Sequence, residues 1–318
     1  MVSKSSGQRK TIIGKKEKII FLVLLFISVV VATLMIAFSL NGLFAKKSCS
    51  GADSEAEESA YDLPEKTEVE EKKEVLKIDF QDIVDEWVSS VEGNRSVLIY
   101  DLERDEIVGS YNPSESYGTA SLYKLFVVYE GYKRLQSAEL TAEETVGGTG
   151  HTVLECLDLA IRESYSPCAE TLWGYIGHDE LDEIIQNDFE ITNSDISSLV
   201  STPEDILKMM KIFYQHEEID DKELIDVMKD SFLNQPVTTY DWRQGLPSGF
   251  TKANVYNKVG WDYNGKSWDI YHDAAIVEFP EDDRHFIVVV MTNQVPFQQI
   301  RRLGTMIENQ YVLKNSDQ

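Results

Sequence analysis

The sequence predicts an α+β domain whose antiparallel sheet is built from both ends of the domain, flanked by helices, with an inserted, mostly helical subdomain between. Two observations carry this. Short runs with strand character cluster at residues 97–111 and again at 255–291, and the stretch between them reads as helix after helix. A third feature precedes the domain: residues 19–40, Ile19 through Leu40, form one apolar run without charge.

That run is long enough to cross a hydrocarbon core of about 30 Å as a helix. Lys4, Arg9, Lys10, Lys15, Lys16 and Lys18 lie before it and favour a cytoplasmic N-terminus. Its length exceeds a signal-peptide core, and Leu43-Phe44-Ala45 is a poor cleavage site, so an uncleaved single-pass signal anchor over 19–45 is expected. The expected organisation is a basic cytoplasmic tail at 1–18, the anchor, a disordered acidic linker at 46–75, and a folded domain at 76–318 outside the plasma membrane.

Within that domain, Phe80, Ile83, Val84, Trp87, Val88 and Val91 recur at helical spacing. Val97 to Tyr100 and Ile107 to Tyr111 read as a hairpin joined through Leu102-Glu103-Arg104-Asp105. Ser121 to Gln136 reads as a helix, and Thr202-Pro203-Glu204-Asp205 as a helix start with Thr as N-cap and Pro in the first turn. Strands are expected at Val255 to Lys258, Ile270 to Phe279 and Phe286 to Met291, then a final helix with Ile300, Leu303 and Ile307 on one side.

Composition narrows the partners. Asp and Glu number 55 against 30 Lys and Arg, for a net charge of -25, and such a surface repels nucleic acid. Cys49, Cys156 and Cys168 lack zinc-ligand spacing, and the five histidines do not cluster, so neither a metal nor a cofactor is expected. In an oxidising compartment Cys156 and Cys168 could form a disulfide closing a short loop; two buried thiols on helices fit the sequence equally.

Chemistry centres on Ser121-Leu122-Tyr123-Lys124. Residues three apart on a helix share a face. The residues that follow, Leu125 to Tyr129, are apolar almost all round, so the helix is expected to be buried and its lysine to lose affinity for a proton. A neutral amine beside a hydroxyl is a general base beside a nucleophile. Alone, the four residues fit better an N-cap serine followed by a lysine reaching water.

Two further segments change that balance. Ser164-Tyr165-Ser166 stands at the entrance to a helix, and Lys258-Val259-Gly260, followed by Trp261, ends a strand. With these three motifs in order, residues 94–312 resemble the class A β-lactamase and penicillin-binding serine hydrolase family. Flanking segments support the resemblance: Gly118-Thr119-Ala120, Thr152-Val153 and Gly245-Leu246-Pro247. The resemblance implies that Ser121 is acylated, Lys124 is its base or proton relay, Ser164 passes a proton to the leaving nitrogen, and Lys258 adds positive charge near Ser164. It implies an oxyanion hole from the backbone N–H groups of Ser121 and Trp261, with Ser166, Val259 and Gly260 completing the substrate-binding strip. The implied substrates are β-lactams or D-Ala-D-Ala-type cell-wall peptides.

The sequence also departs from the family pattern. Tyr165 and Ser166 stand where the family has Asp and Asn, so the amide that would hold the lysine and substrate is lost. Val259 replaces a threonine hydroxyl, and no Glu-x-x-Leu-Asn segment stands between Gly177 and Thr202; Glu183 and Glu190 read as solvated acids. The expected behaviour is acylation followed by slow clearance. The alternatives are a catalytically weakened binding or scaffold module at the cell wall, and a true β-lactamase with a rebuilt deacylation site. His151, His216 and His272 lack a Gly-x-Ser-x-Gly context at Ser121 and read as ordinary surface or core residues.

Overall fold

The chain divides into two units, Met1–Glu71 and Lys72–Gln318. The computed structural model describes residues 76–263 and 269–316, all within the second unit. The expected tail, anchor and linker lie outside the described residues. Among the described residues no helix is long and apolar enough to cross a membrane.

The domain opens with helix α1 (Gln81–Ser90), which buries Val84, Trp87 and Val88. Strands β1 (Asn94–Asp101) and β2 (Glu106–Tyr111) then form the expected hairpin, closed by a turn in which Asp105 takes φ 54°. Strands β5 (Asn254–Asp262), β6 (Ile270–Phe279) and β7 (Arg284–Asn293) return at the far end of the sequence. All pairings in the sheet are antiparallel, in the order β2-β1-β7-β6-β5, so β1 lies beside β7 and the two ends of the domain close one sheet.

Side chains alternate across that sheet with period two. Val97, Ile99, Val259, Ala275, Val277, Val288 and Val290 share one core with Trp87 of α1 and with Ile300, Leu303 and Ile307 of the last helix, α8 (Phe297–Ser316). Leu98, Tyr100, Ala274, Ile287, Val289 and Met291 face the opposite way, into the core of the helical region.

That region contains α2 (Tyr123–Gln136), α3 (Val153–Arg162), α4 (Ser166–Ile176), α5 (His178–Asn187), α6 (Pro203–Gln215) and α7 (Lys222–Leu233). α2 is buried from Tyr123 through Tyr132, as its all-round apolar sequence predicts. The helix expected from Ser121 begins instead as a 3₁₀ turn, Ala120–Leu122, with Ala120 at φ 43°. Thr152 and Thr202 cap α3 and α6 by accepting from the N–H groups of Glu155 and Asp205, and Glu155 completes a capping box. Strands β3 (Tyr117–Gly118) and β4 (Val200–Ser201) form a small separate ribbon just before the 3₁₀ turn. Cys156 on α3 and Cys168 on α4 form a disulfide, one of the two readings left open by the sequence.

Candidate active site

Four elements converge on one cluster of hydroxyls around two buried amines. The 3₁₀ turn supplies Ser121 and the start of α2 supplies Lys124. The residues entering α4 supply Ser164 and Ser166, and β5 supplies Lys258. Lys124 is fully buried. Its Nζ lies 3.1 Å from Ser121 Oγ, 2.5 Å from the Ser164 carbonyl oxygen, 3.0 Å from Ser166 Oγ and 3.3 Å from Ser164 Oγ. Burial pulls its pKa down to about 8, an effect partly opposed by the negative charge of Glu170. A neutral amine has two N–H donors and one lone pair. Donation to the Ser164 carbonyl and Ser166 Oγ leaves that lone pair for the Ser121 hydroxyl proton.

Lys258 Nζ lies 2.8 Å from Ser164 Oγ and donates to its neighbour's carbonyl, Val259 O, also at 2.8 Å. It is 1% exposed. Burial, then the charge of Lys124, holds its pKa well below the usual lysine range, with Asp273 pulling the other way. Asp273 is itself buried, accepts from Asn257 Nδ2 at 2.9 Å and Leu246 N at 2.7 Å, and has its pKa pushed up to about 7 by desolvation. The Ser164 hydroxyl therefore bridges two amines, the arrangement a proton shuttle requires. Ser164 holds a left-handed backbone, φ 55°, directly before α4. A residue with a β-carbon occupies that region at a cost of about 1 kcal/mol or more, and the lysine contacts at its carbonyl and hydroxyl hold it there.

Gly260 brings β5 against the nucleophile turn. A β-carbon there would lie 2.7 Å from the Thr119 carbonyl oxygen and 3.1 Å from Leu122 Cγ, so the approach needs glycine. The next residue, Trp261, is half-buried and packs against Tyr240 and Trp242 at centroid separations of 4.9 and 5.9 Å.

The structure corrects two expectations. Ser166, expected to leave the lysine unheld, places its hydroxyl directly on Lys124 Nζ, because α4 begins at Ser166 and turns its side chain toward α2. Val259, expected in the substrate-binding strip, points its side chain into the core shared with α1 and α8. Only its carbonyl oxygen meets the site, since Lys258 and Val259 must alternate across the sheet. Glu183 and Glu190 are exposed, as expected.

The sequence reads His272 as an ordinary surface or core residue, and the structure makes it a core residue with both ring nitrogens paired. It is fully buried, its Nε2 lies 2.8 Å from the Gly118 carbonyl, and its Nδ1 accepts from Thr292 N at 2.9 Å. That fixes the proton on Nε2, and burial lowers the pKa to about 4. The ring thus ties the segment before Ser121 to β6. A polar residue at an inward position between Ile270 and Ala274 was the available signal.

Among solved structures, the fold is similar to that of PBP-A, with a TM-score of 0.62 and 17% identity over 75% of this chain and 100% of that one. It is also similar to a β-lactamase from Chitinophaga pinensis DSM 2588, with a TM-score of 0.60 and 15% identity over 72% and 97% of the two chains. A class A β-lactamase from Bacteroides cellulosilyticus DSM 14838 gives 0.61 and 14% over 72% and 96%. At these identities the likeness is one of fold. No curated protein matches the chain. The family model described as "Beta-lactamase enzyme family" matches residues 79–311, most of the chain and nearly all of the folded domain. The chain belongs to the β-lactamase enzyme family and is a serine hydrolase.

Proposed function

We propose that this protein is a membrane-anchored, extracytoplasmic hydrolase that forms an acyl-enzyme at Ser121 with β-lactams or D-Ala-D-Ala-type cell-wall peptides. The observation that carries the reading is the buried Lys124 amine, 3.1 Å from Ser121 Oγ and lowered to a pKa of about 8.

In the proposed reaction, Lys124 takes the Ser121 proton as Oγ attacks the substrate carbonyl carbon. The N–H groups of Ser121 and Trp261 receive the developing oxyanion. Ser164, between Lys124 and Lys258, delivers a proton to the leaving nitrogen and takes its replacement from Lys124, and the carbon–nitrogen bond breaks. Lys258 supplies positive charge beside Ser164 for a substrate carboxylate. Support comes from a related fold: a PBP-A variant has been solved as an acyl-enzyme complex with penicillin G.

The location outside the membrane rests on the apolar run Ile19 to Leu40 and the basic residues before it. The Cys156–Cys168 bridge suits an oxidising compartment.

Intact-mass spectrometry of the purified protein mixed with penicillin G tests the chemistry. A mass increase of one penicillin, absent in Ser121→Ala, is expected; an unmodified wild-type mass would end the reading. Sedimentation of the full chain with membranes after a high-salt wash is the expected sign of the anchor.

A further inference from the structure

An acyl-enzyme of this kind is hydrolysed only if some group takes a proton from the attacking water, and no Glu-x-x-Leu-Asn segment stands between Gly177 and Thr202 to supply one. The structure places a carboxylate on the helix whose first residue touches the cluster. On α4, Ser166 and Trp173 both reach α2: Ser166 Oγ lies 3.0 Å from Lys124 Nζ, and the Trp173 ring sits 5.2 Å from the Tyr123 ring, centroid to centroid. Glu170 lies four residues after Ser166 and three before Trp173, on the same stripe of the helix. It is bracketed along the helix by two side chains that touch Tyr123 and Lys124.

Unlike its neighbours Cys168, Ala169 and Leu172, which are buried in the core, Glu170 is exposed and open to water. Among the described residues no hydrogen bond or ion pair takes up its carboxylate. Its charge is nevertheless felt by both Lys124 and Tyr123, raising the proton affinity of each. The carboxylate coupled to Lys258, Asp273, cannot meet an incoming water, because it is buried and occupied by Asn257 and Leu246.

We propose that Glu170 is the general base of deacylation, taking the proton of the water that hydrolyses the Ser121 ester from a helix rather than from a loop. The proposal rests on the acyl-enzyme reading and replaces the slow clearance expected from the motifs with base-assisted hydrolysis. Water oxygen bonds to the acyl carbon as its proton passes to the Glu170 carboxylate. The tetrahedral intermediate then collapses, the bond from carbon to Ser121 Oγ breaks, and the proton held by Glu170 passes through the neutral Lys124 amine to Oγ, leaving a free carboxylic acid and the resting serine.

The test follows the penicillin G adduct over time in the wild type and in Glu170→Gln. Both proteins are expected to acquire the adduct, which itself reports an intact site, and the wild-type adduct to clear. Clearance in E170Q slows by roughly 100-fold, the usual worth of a general base. Neutral hydroxylamine, a nucleophile that needs no base, clears both adducts at similar rates, an outcome that a merely structural role for Glu170 would not give. Equal clearance in water by the two proteins, or a wild-type adduct that never clears, overturns the proposal and leaves acylation at Ser121 standing. A wild type that forms no adduct overturns the acyl-enzyme reading itself.

Discussion

Lys258 Nζ stands 2.8 Å from Ser164 Oγ, across 94 residues of sequence, and so joins the last strand motif to the loop before α4. Without Lys258 the Ser164 hydroxyl keeps only its longer, 3.3 Å contact with Lys124 Nζ. Lys258→Ala is expected to slow acylation by penicillin G by roughly 100-fold, the scale of a lost proton-transfer partner. Stopped-flow measurement of adduct formation checks this, and a loss below about threefold would remove Lys258 from the shuttle.

Acylation depends on pH through Lys124. Only the neutral amine accepts the Ser121 proton, and its pKa is about 8, so the acylation rate rises as pH climbs through about 8 and then levels. Lys124→Arg, whose guanidinium stays charged, is expected to be inactive throughout the range. The same shift bears on stability. Between about 8 and 10.5 the unfolded chain still binds the proton that the folded chain has released, so this lysine makes the fold more stable as pH rises across that window. Urea titrations of the wild type at several pH values give the slope.

Gly260→Ala forces a β-carbon to within 2.7 Å of the Thr119 carbonyl and 3.1 Å of Leu122 Cγ and His272 Cβ. Relief requires β5 to move away from the nucleophile turn. The expected result is a stability loss of about 1–3 kcal/mol, as for other overpacked sites, and at least a tenfold fall in acylation. Thermal melts and adduct kinetics on the same preparation measure both.

The Cys156–Cys168 bridge closes a loop of sequence separation 12 and ties α3 to α4 just beyond Ser164 and Ser166. Replacing both cysteines with alanine is expected to cost about 3 kcal/mol, read from the urea midpoint. Because Ser164 is held in a left-handed backbone, the loosened loop also slows acylation in this variant.

Much of the fold was legible because it is periodic. Apolar runs marked β6 and β7, the 3.6-residue repeat marked α1 and α8, and the cap at Thr202 stood in plain sight. The three motifs were legible in order, and the structure brings Ser121, Lys124, Ser164 and Lys258 together. What escaped was set by long-range packing. The inward side of Val259 follows from which face of β5 meets α8, and the grip of Ser166 on Lys124 follows from how α4 sits against α2. The pairing of His272 escaped for the same reason: its partner, Gly118, is 154 residues away, and no local pattern announces that bond.

Two amines within reach of one hydroxyl also fix a count. Positive charges crowded into so dry a space oppose each other, so burial and mutual repulsion lower the number of protons the Lys124–Lys258 pair holds at a given pH. A ligand bearing a carboxylate restores the balance and is taken up together with hydrogen ions. Its heat of binding consequently varies with the ionisation enthalpy of the buffer, and an uncharged analogue of the same shape shows no such variation.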